Sequence, residues 1–247
     1  MSIESSENFK PVPRHSLGGE LNTNFHYTDE QGKLYLRRVP GGTVNLAEAM
    51  REDAEKWGLQ KVGVTLIPRS PQEQIDFETR AKEKGLRVLP LAVDGSGLVY
   101  RPLLERAVTL DEYLQNASIE QAAQVLKELF DDVLKAHQSD IVYGDRWPKN
   151  ILVDPELGLV HIDFDVRSTG RAKEFELAQL IFYTFALYPK HAAEMLPPLL
   201  AHARDAYDFE IVREIAQERT RFGDKDYTDV ASGLERFFTS VSAPKES

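Results

Sequence analysis

The chain has 247 residues, a formal net charge of −10 and 42% hydrophobic residues, a composition typical of globular proteins. It has no cysteine, which excludes disulfides and thiolate-bound metals, and its acidic balance argues against nucleic acid as a partner. No run approaches the roughly 20 apolar residues that cross a bilayer, and the polar N-terminus does not resemble a secretion signal. We therefore expect a cytoplasmic protein with no membrane partner.

The first half of the chain is predicted to be rich in strands. Alternating apolar residues between turn-forming clusters predict strands at residues 24–28, 33–39, 62–67, 87–93 and 98–101. A helix is predicted at 46–57. A second helix begins at Ser70, because Ser70, Pro71 and Glu73 suit its N-cap, first and third positions.

The second half is predicted to be mainly helical. Ser118 and Gln121 have the spacing of a capping box before a long helix whose apolar residues recur at helical period. Two short strands, at 151–153 and 159–162, are the exception. Strands first and helices second predict an α+β fold with two lobes. The predicted division is a flexible N-terminus at 1–15, a first lobe with its hinge at 16–104, a second lobe at 105–242 and a flexible tail at 243–247.

Two polar segments flank the short strands of the second half. The first reads YGDRWPKN and ends at Asn150, and the second reads IDFD and contains Asp163 and Asp165. Any one of these residues alone would mean little, since Asp, Asn, Pro and Gly are common in turns. The full set at this spacing is far more specific, because a short hairpin at 151–162 would bring Asn150 and Asp163 together.

These segments resemble the catalytic loop and the metal-binding segment of the protein kinase-like superfamily. The pattern Tyr-Gly-Asp-x-x-Pro-x-Asn is similar to that of aminoglycoside phosphotransferases, choline and homoserine kinases, and the small kinase of the tRNA-threonylcarbamoylation complex. The sequence departs from these families at Tyr143, which replaces their histidine, whereas Asp165 matches them, since they have a second Asp where protein kinases have glycine. The resemblance covers about residues 17–187. It implies a two-lobe protein-kinase-like fold with a β-rich N-lobe and a helical C-lobe.

The resemblance also implies ATP and Mg²⁺ as cofactors and a role for each polar residue of the two segments. Asp145, Asn150 and Asp163 would form the catalytic centre, with Asp145 accepting the proton of the substrate hydroxyl. The metal ligands would be Asn150, Asp163 and Asp165. Glu176, on the following helix, is predicted to hold the catalytic loop in place.

The resemblance places the nucleotide-binding residues in the first lobe. Gly18 and Gly19 would form a shortened loop over the phosphates. Arg37 would replace the usual lysine as the phosphate contact, with Arg38 as the alternative because neighbouring strand residues face opposite sides. A glutamate of the helix that begins at Ser70, either Glu73 or Glu78, is expected to pair with this arginine. The glutamates from Glu48 to Glu55 on the preceding helix are the alternative.

The sequence thus predicts a kinase that transfers the γ-phosphate of ATP to a hydroxyl acceptor. A small molecule is the first choice of acceptor, because the loop is similar to that of small-molecule kinases and no activation segment is recognised. A minimal Ser/Thr protein kinase and a nucleotide-binding pseudokinase that acts as a partner-binding module are the alternatives. The segment 46–67 is longer than the resemblance implies and is a candidate partner surface.

Overall fold

A computed structural model describes residues 9–12, 17–18, 22–40, 45–89, 91–93, 99–201, 203–222 and 225–242. Gly19, the predicted tail 243–247 and most of the predicted flexible N-terminus lie outside these ranges. The fold is a mixed α+β fold with two lobes, as the sequence predicts.

The described residues form eleven β-strands and eight α-helices. The strands are β1 (Lys10–Pro11), β2 (Leu17–Gly18), β3 (Asn22–Thr28), β4 (Leu34–Pro40), β5 (Thr65–Pro68), β6 (Ala92–Val93), β7 (Val99–Pro102), β8 (Val108–Thr109), β9 (Ile151–Asp154), β10 (Gly158–His161) and β11 (Val166–Thr169). The helices are α1 (Leu46–Lys56), α2 (Pro71–Glu83), α3 (Leu110–Asn116), α4 (Ile119–Gln138), α5 (Ala172–Leu187), α6 (Pro189–Leu200), α7 (Phe209–Thr220) and α8 (Thr228–Ser242). Short 3-10 helices lie at Leu59–Val62, Pro148–Asn150 and Arg204–Ala206.

The first lobe is built on an antiparallel sheet with the strand order β1-β3-β4-β7-β6, and β2 pairs with β3. The β3–β4 hairpin is continuous from the pair Asn22–Pro40 to the pair Thr28–Leu34. The side chain of Asp29 closes its turn by accepting hydrogen bonds from the backbone N–H groups of two turn residues. The hairpin predicted here is therefore confirmed. The strand predicted at 87–93 is shorter, since only Ala92–Val93 is a strand among its described residues.

The core of the second lobe surrounds α4 and α5. Helix α4 begins with the predicted capping box, in which Gln121 N–H donates to Ser118 Oγ and Ser118 N–H donates to Gln121 Oε1. The buried face of α4 follows the predicted stripe, and α5 is buried on nearly all sides. Each large apolar side chain buried here contributes about 1.5–3 kcal/mol to stability. This packing fixes α5, which carries two side chains that contact residues 144–146.

A two-stranded sheet joins the segment before α2 to the segment after Asp163. Strand β5 pairs antiparallel with β11, from Thr65–Thr169 to Pro68–Val166. Strand β5 starts later than the predicted strand 62–67, because Leu59–Val62 forms a 3-10 helix. Strand β5 lies within the range predicted for the first lobe, and β11 lies within the range predicted for the second. The sheet thus links the two predicted ranges, and the boundary near residue 104 stays a prediction.

Helix α1 and the 3-10 helix after it pack against the second lobe. The ring of Trp57, 3% exposed, lies 5.2 Å from that of Phe182 and 5.8 Å from those of Phe175 and Tyr183 on α5. Lys61 Nζ lies 2.5 Å from a carboxylate oxygen of Glu218 on α7. The segment 46–67 is predicted from the sequence to be a candidate partner surface. The part of it around Trp57 is instead packed against α5 of the same chain.

None of the helices in the described ranges combines the length and the hydropathy that a bilayer-crossing segment requires.

Candidate functional site

The predicted hairpin after the catalytic loop is present and brings the two polar segments together. Strands β9 and β10 pair from Ile151–His161 to Asp154–Gly158. At the open end of this hairpin, Ile162 N–H donates to the carbonyl oxygen of Asn150 at 2.9 Å. The side chain of Asn150 donates to the backbone oxygen of Asp145 at 3.2 Å. Asn150 is therefore tied both to Asp145 and to the residue that precedes Asp163.

Asp163 has a left-handed backbone conformation, with φ +63°. Such a conformation is uncommon for a residue other than glycine, although aspartate tolerates it, and strained residues cluster at functional sites. The guanidinium of Arg146 donates to the carbonyl oxygen of Asp163 at 3.3 Å. Asp163 and Asp165 are both half-buried. The left-handed conformation of Asp163 is therefore held by the surrounding structure, which is typical of residues at functional sites.

The carboxyl group of Asp145 is oriented by Gln179 on α5, whose Nε2 atom lies 2.8 Å from Oδ1 of Asp145. Burial raises the pKa of Asp145 to about 6, and the charge of Asp53 on α1 acts in the same direction. The charge of Arg146 and the hydrogen bond from Gln179 oppose this shift. A carboxyl group with a pKa near the working pH is suited to accept a proton from a substrate hydroxyl.

Gly144, which precedes Asp145, is held by Glu176. Its backbone N–H donates to Oε1 of Glu176, and Oε2 of Glu176 lies 2.7 Å from Nε2 of His137 on α4. Glu176 is completely buried. The prediction that Glu176 holds the catalytic loop is therefore confirmed. Gln179 was not predicted, although it lies one helical turn after Glu176 and so on the same face of α5.

Tyr143, which replaces the histidine of related loops, is the centre of a buried polar cluster. Its hydroxyl donates to Oδ2 of Asp132 on α4 at 2.6 Å, and its ring stacks on that of His161 with a centroid distance of 4.3 Å. Nε2 of His161 lies 3.2 Å from the same oxygen of Asp132. Burial, together with the Asp132 charge, raises the pKa of Tyr143 above its ordinary value. Tyr143 stays a neutral donor and supports the loop structurally.

Arg146 is a second residue that sequence reasoning missed. It is fully buried, and its guanidinium carbon lies 5.2 Å from the ring centres of both Tyr143 and Phe164. It also donates to the carbonyl oxygens of Ile162 and Asp163. Burial lowers its pKa, while the charges of Glu176 and Asp145 oppose the shift. No pattern in the sequence distinguishes this arginine from a solvent-exposed one, because the carbonyl oxygens that it contacts lie at the far end of the β9–β10 hairpin, 16 and 17 residues later.

The predicted pairing of Arg37 with Glu73 or Glu78 is wrong. Glu78 on α2 pairs with Arg101 on β7 at 3.1 Å, and Glu73 caps its own helix by accepting from Ser70 N–H at 2.7 Å. Arg37 donates to the hydroxyl of Tyr27 at 3.3 Å.

The physical reason is the register of the sheet. Arg37 faces Tyr100 across the β4–β7 pair, whereas Leu36 faces Arg101, so Arg37 and Arg101 lie on opposite faces. The face of Arg101 is the one that α2 covers. No contact among the described residues tests Arg37 as a phosphate contact, and its place on the face away from α2 argues against it and for the alternative, Arg38.

Of the predicted glycine pair, only Gly18 lies within the described residues. It belongs to β2 and pairs with Thr23 of β3. Gly18 therefore lies beside β3, the first strand of the β3–β4 hairpin. Its contact with a nucleotide stays a prediction.

Magnesium is the metal that the sequence predicts at this site, and its ligands stay a prediction. Within the described ranges no three His, Asp or Glu side chains converge as a metal-binding group. Mg²⁺ is commonly held by one or two carboxylates, with phosphate oxygens and water completing its shell. Asp163, Asp165 and Asn150 offer the oxygen ligands that this mode requires.

The sequence matches no protein-family model and no curated protein. Among solved structures, the chain is similar to the Rio2 kinase of Chaetomium thermophilum, determined as an ADP/Mg²⁺–phosphoaspartate complex. The TM-score is 0.54 at 15% sequence identity, and the alignment covers 95% of this chain and 73% of that chain. At this identity the likeness shows the fold. The chain has a protein kinase-like fold of two lobes.

Proposed function

We propose that this chain is an ATP- and Mg²⁺-dependent phosphotransferase that transfers the γ-phosphate to a hydroxyl acceptor. The observation that carries the proposal is the connection of Asp145, Asn150 and Asp163. Asn150 donates to the backbone of Asp145 and accepts from the residue before Asp163. The protein kinase-like fold supports this assignment, as does the similarity to a kinase that was solved with ADP and Mg²⁺.

In this proposal Asp145 acts on the acceptor, and the other polar residues of the site act on the metal. Asp145, held by Gln179, accepts a hydrogen bond from the acceptor hydroxyl and orients it for in-line attack on the γ-phosphate. Asn150 and Asp163, with Asp165, would hold Mg²⁺ through their side-chain oxygen atoms. The metal, when bound, neutralises the charge of the phosphate oxygens. Such catalysis depends mainly on positioning and electrostatics, so buried groups that fix these side chains matter as much as the groups that react.

The surroundings of Asp145 favour a small acceptor. Helix α1 brings Asp53 close enough to Asp145 for its charge to raise the Asp145 pKa. The next turn of α1 ends at Trp57, which packs on Tyr183 of α5, one turn beyond Gln179. Helix α1 therefore lies near Asp145, and on this ground we take a metabolite as the acceptor in preference to a folded protein. A minimal Ser/Thr protein kinase is the competing assignment.

The test is phosphate transfer from γ-labelled ATP, first with the protein alone and then with panels of hydroxylated metabolites and of proteins. We expect transfer to at least one small hydroxylated compound. Asp145→Asn should lower the rate by about 10²–10⁴-fold while ATP binding persists, because asparagine keeps the shape and removes the charge. Asp163→Ala should abolish the Mg²⁺-dependent part of ATP binding.

The other outcomes separate the alternatives. Transfer to proteins alone would support the protein kinase. Binding of ATP without transfer to any acceptor would indicate a pseudokinase and contradict the proposal. An active wild type whose rate survives Asp145→Asn would contradict the role of Asp145.

A further inference from the structure

Arg69 lies between β5 and α2 and contacts both polar segments of the site. Its Nη1 atom lies 2.8 Å from the carbonyl oxygen of Val166, 3.0 Å from that of Phe164 and 3.1 Å from that of Tyr143. Its Nη2 atom lies 3.2 Å from the carbonyl oxygen of Val142. One guanidinium thus reaches four backbone carbonyls, two from each of two chain segments.

These two segments carry the proposed catalytic groups. Residues 142–143 lead directly into Gly144 and Asp145, and residues 164–166 follow Asp163 and flank Asp165. The contacts are all to backbone, so they act on the path of the chain and not on one side chain. A single residue of the first half therefore spans the gap between the catalytic loop and the metal-binding segment.

Arginine suits this position for reasons of geometry. Its guanidinium is planar and presents five N–H donors in a rigid fork, whereas lysine offers one ammonium on a flexible stem. The ring of Phe77 supports the fork, with the guanidinium carbon 4.1 Å from the ring centre. Burial lowers the pKa of Arg69 to about 10, against the opposing charge of Glu176. The group is still protonated at neutral pH, as its four acceptors require.

The side chain of Arg69 is separate from the backbone connection at the same place. The backbone N–H of Arg69 donates to the carbonyl oxygen of Asp165 at 2.7 Å, and β5 pairs with β11 along four residues. A change of side chain leaves this pairing in place. It affects the contacts of the guanidinium with the four carbonyls and with the ring of Phe77, so it can be used to test what this side chain does.

We propose that Arg69 is a positioning residue for phosphoryl transfer, and that its guanidinium fixes the separation between the Asp145 loop and the Asp163 segment. The inference rests on the proposed function of the site. A displacement of reacting groups on the order of 1 Å can cost about 100-fold in rate, which is the effect to look for.

The first test compares Arg69→Lys with Arg80→Lys, a matched change at an exposed arginine of α2. We expect Arg69→Lys to lower kcat by roughly 10–100-fold and to raise the Mg²⁺ concentration for half-maximal rate. The KM for ATP should change little, and Arg80→Lys should resemble the wild type. In Arg69→Ala, millimolar guanidinium should restore part of kcat, whereas the same concentration of NaCl should not.

The second test needs no activity. It measures amide hydrogen exchange in the ligand-free protein at Gly144, Arg146 and Ile162, whose N–H groups donate to Glu176, Gln179 and Asn150. Exchange should be faster at these amides in Arg69→Lys than in Arg80→Lys, while the amides of α4 keep their rates.

The outcomes are distinct for the two proposals. Wild-type kcat and wild-type exchange in Arg69→Lys would overturn the positioning role, as would faster exchange throughout α4, which indicates general destabilisation. A wild type without transferase activity would overturn the proposed function, and the exchange rates would still decide the role of Arg69.

Discussion

Gln179 holds Asp145 and the backbone of Arg146 with the two ends of its side-chain amide. Nε2 of Gln179 donates to Oδ1 of Asp145 at 2.8 Å, and its Oε1 accepts from the backbone N–H of Arg146 at 3.0 Å. Gln179 is 1% exposed and belongs to α5, the most buried helix of the second lobe. The orientation of the proposed base is therefore set by the packing of a buried helix.

The first prediction concerns this contact. Gln179→Met keeps an unbranched side chain of similar length but removes both hydrogen bonds. We expect kcat to fall by about 10-fold or more, because a hydrogen bond to a charged group is worth about 1.5–3 kcal/mol. ATP affinity should stay close to that of the wild type. Steady-state kinetics and calorimetric titration measure the two quantities, with Gln124→Met on the exposed side of α4 as the control. An unchanged kcat would show that Asp145 needs no orienting partner.

The second prediction concerns Gly144, where only glycine fits. Its φ is +111°, and a Cβ atom added there would overlap the carbonyl oxygen of Val166. We expect Gly144→Ala to lower the free energy of unfolding by about 4 kcal/mol or more, or to prevent folding. Gly32→Ala is the control, because Gly32 also has a positive φ, of +79°, but its Cβ would meet nothing within 4 Å. Backbone strain alone should cost that variant about 1–2 kcal/mol in urea denaturation. Equal losses in the two variants would contradict the steric explanation.

The third prediction concerns the pH dependence of stability at Glu78. Burial raises the pKa of Glu78 to about 7, against the opposing charge of Arg101. Since the folded state then binds the proton more tightly than the unfolded state, this group stabilises the fold below about pH 4.5 and loses that contribution as the pH rises to about 7. The contribution is about 3 kcal/mol.

Glu78→Gln removes this titration. The difference in unfolding free energy between wild type and variant should therefore shift in favour of the variant from pH 5 to pH 8. Urea denaturation at several pH values measures it. Parallel stability curves would show that the pair with Arg101 keeps Glu78 ionised throughout this range.

The fourth prediction separates the two candidate phosphate contacts. Arg37 lies on the sheet face away from α2, beside Tyr27, whereas the charge of Asp163 acts on Glu78 from the α2 side. Arg37→Ala should thus change ATP affinity by less than Arg38→Ala, the alternative that the sequence left open. Calorimetric titration with Mg²⁺ and ATP measures both. A larger loss in Arg37→Ala would place the nucleotide on the opposite face of the sheet.

Local patterns in the sequence predicted a large part of the site. The turn residues between 151 and 162 specify a hairpin, and a hairpin at this point must bring Asn150 close to Asp163. The capping boxes at Ser70 and Ser118 are confirmed for the same reason, since their partners lie three residues away. Glu176 could be predicted because its helix resembles the Asp-Leu-Ala helix of the small-molecule kinases, in which an aspartate stands at this position.

Contacts between distant segments could not be predicted. Arg69 binds carbonyl groups, which every residue has, so nothing in the sequence marks its acceptors. The pairing of Glu78 with Arg101 in place of Arg37 depends on which face of a strand meets α2, and shifting a strand by one residue reverses that choice. The position of α1 against α5 depends on where Trp57 finds its aromatic partners.

The β5–β11 pair also has a consequence for the order of folding. Within the described residues β5 has one strand partner, and that partner follows α4 and the catalytic loop in the chain. During synthesis the backbone hydrogen-bonding groups of β5 therefore stay unpaired until Val166–Thr169 has left the ribosome. Pairing over this sequence separation is expected to be slow. Because β5 is short and ends at Pro68, which has no backbone N–H, its pairing with another strand or another chain is disfavoured during this interval. Translation arrested before residue 166 should accordingly yield a nascent chain whose β5 region is open to protease, and release of the complete chain should protect it.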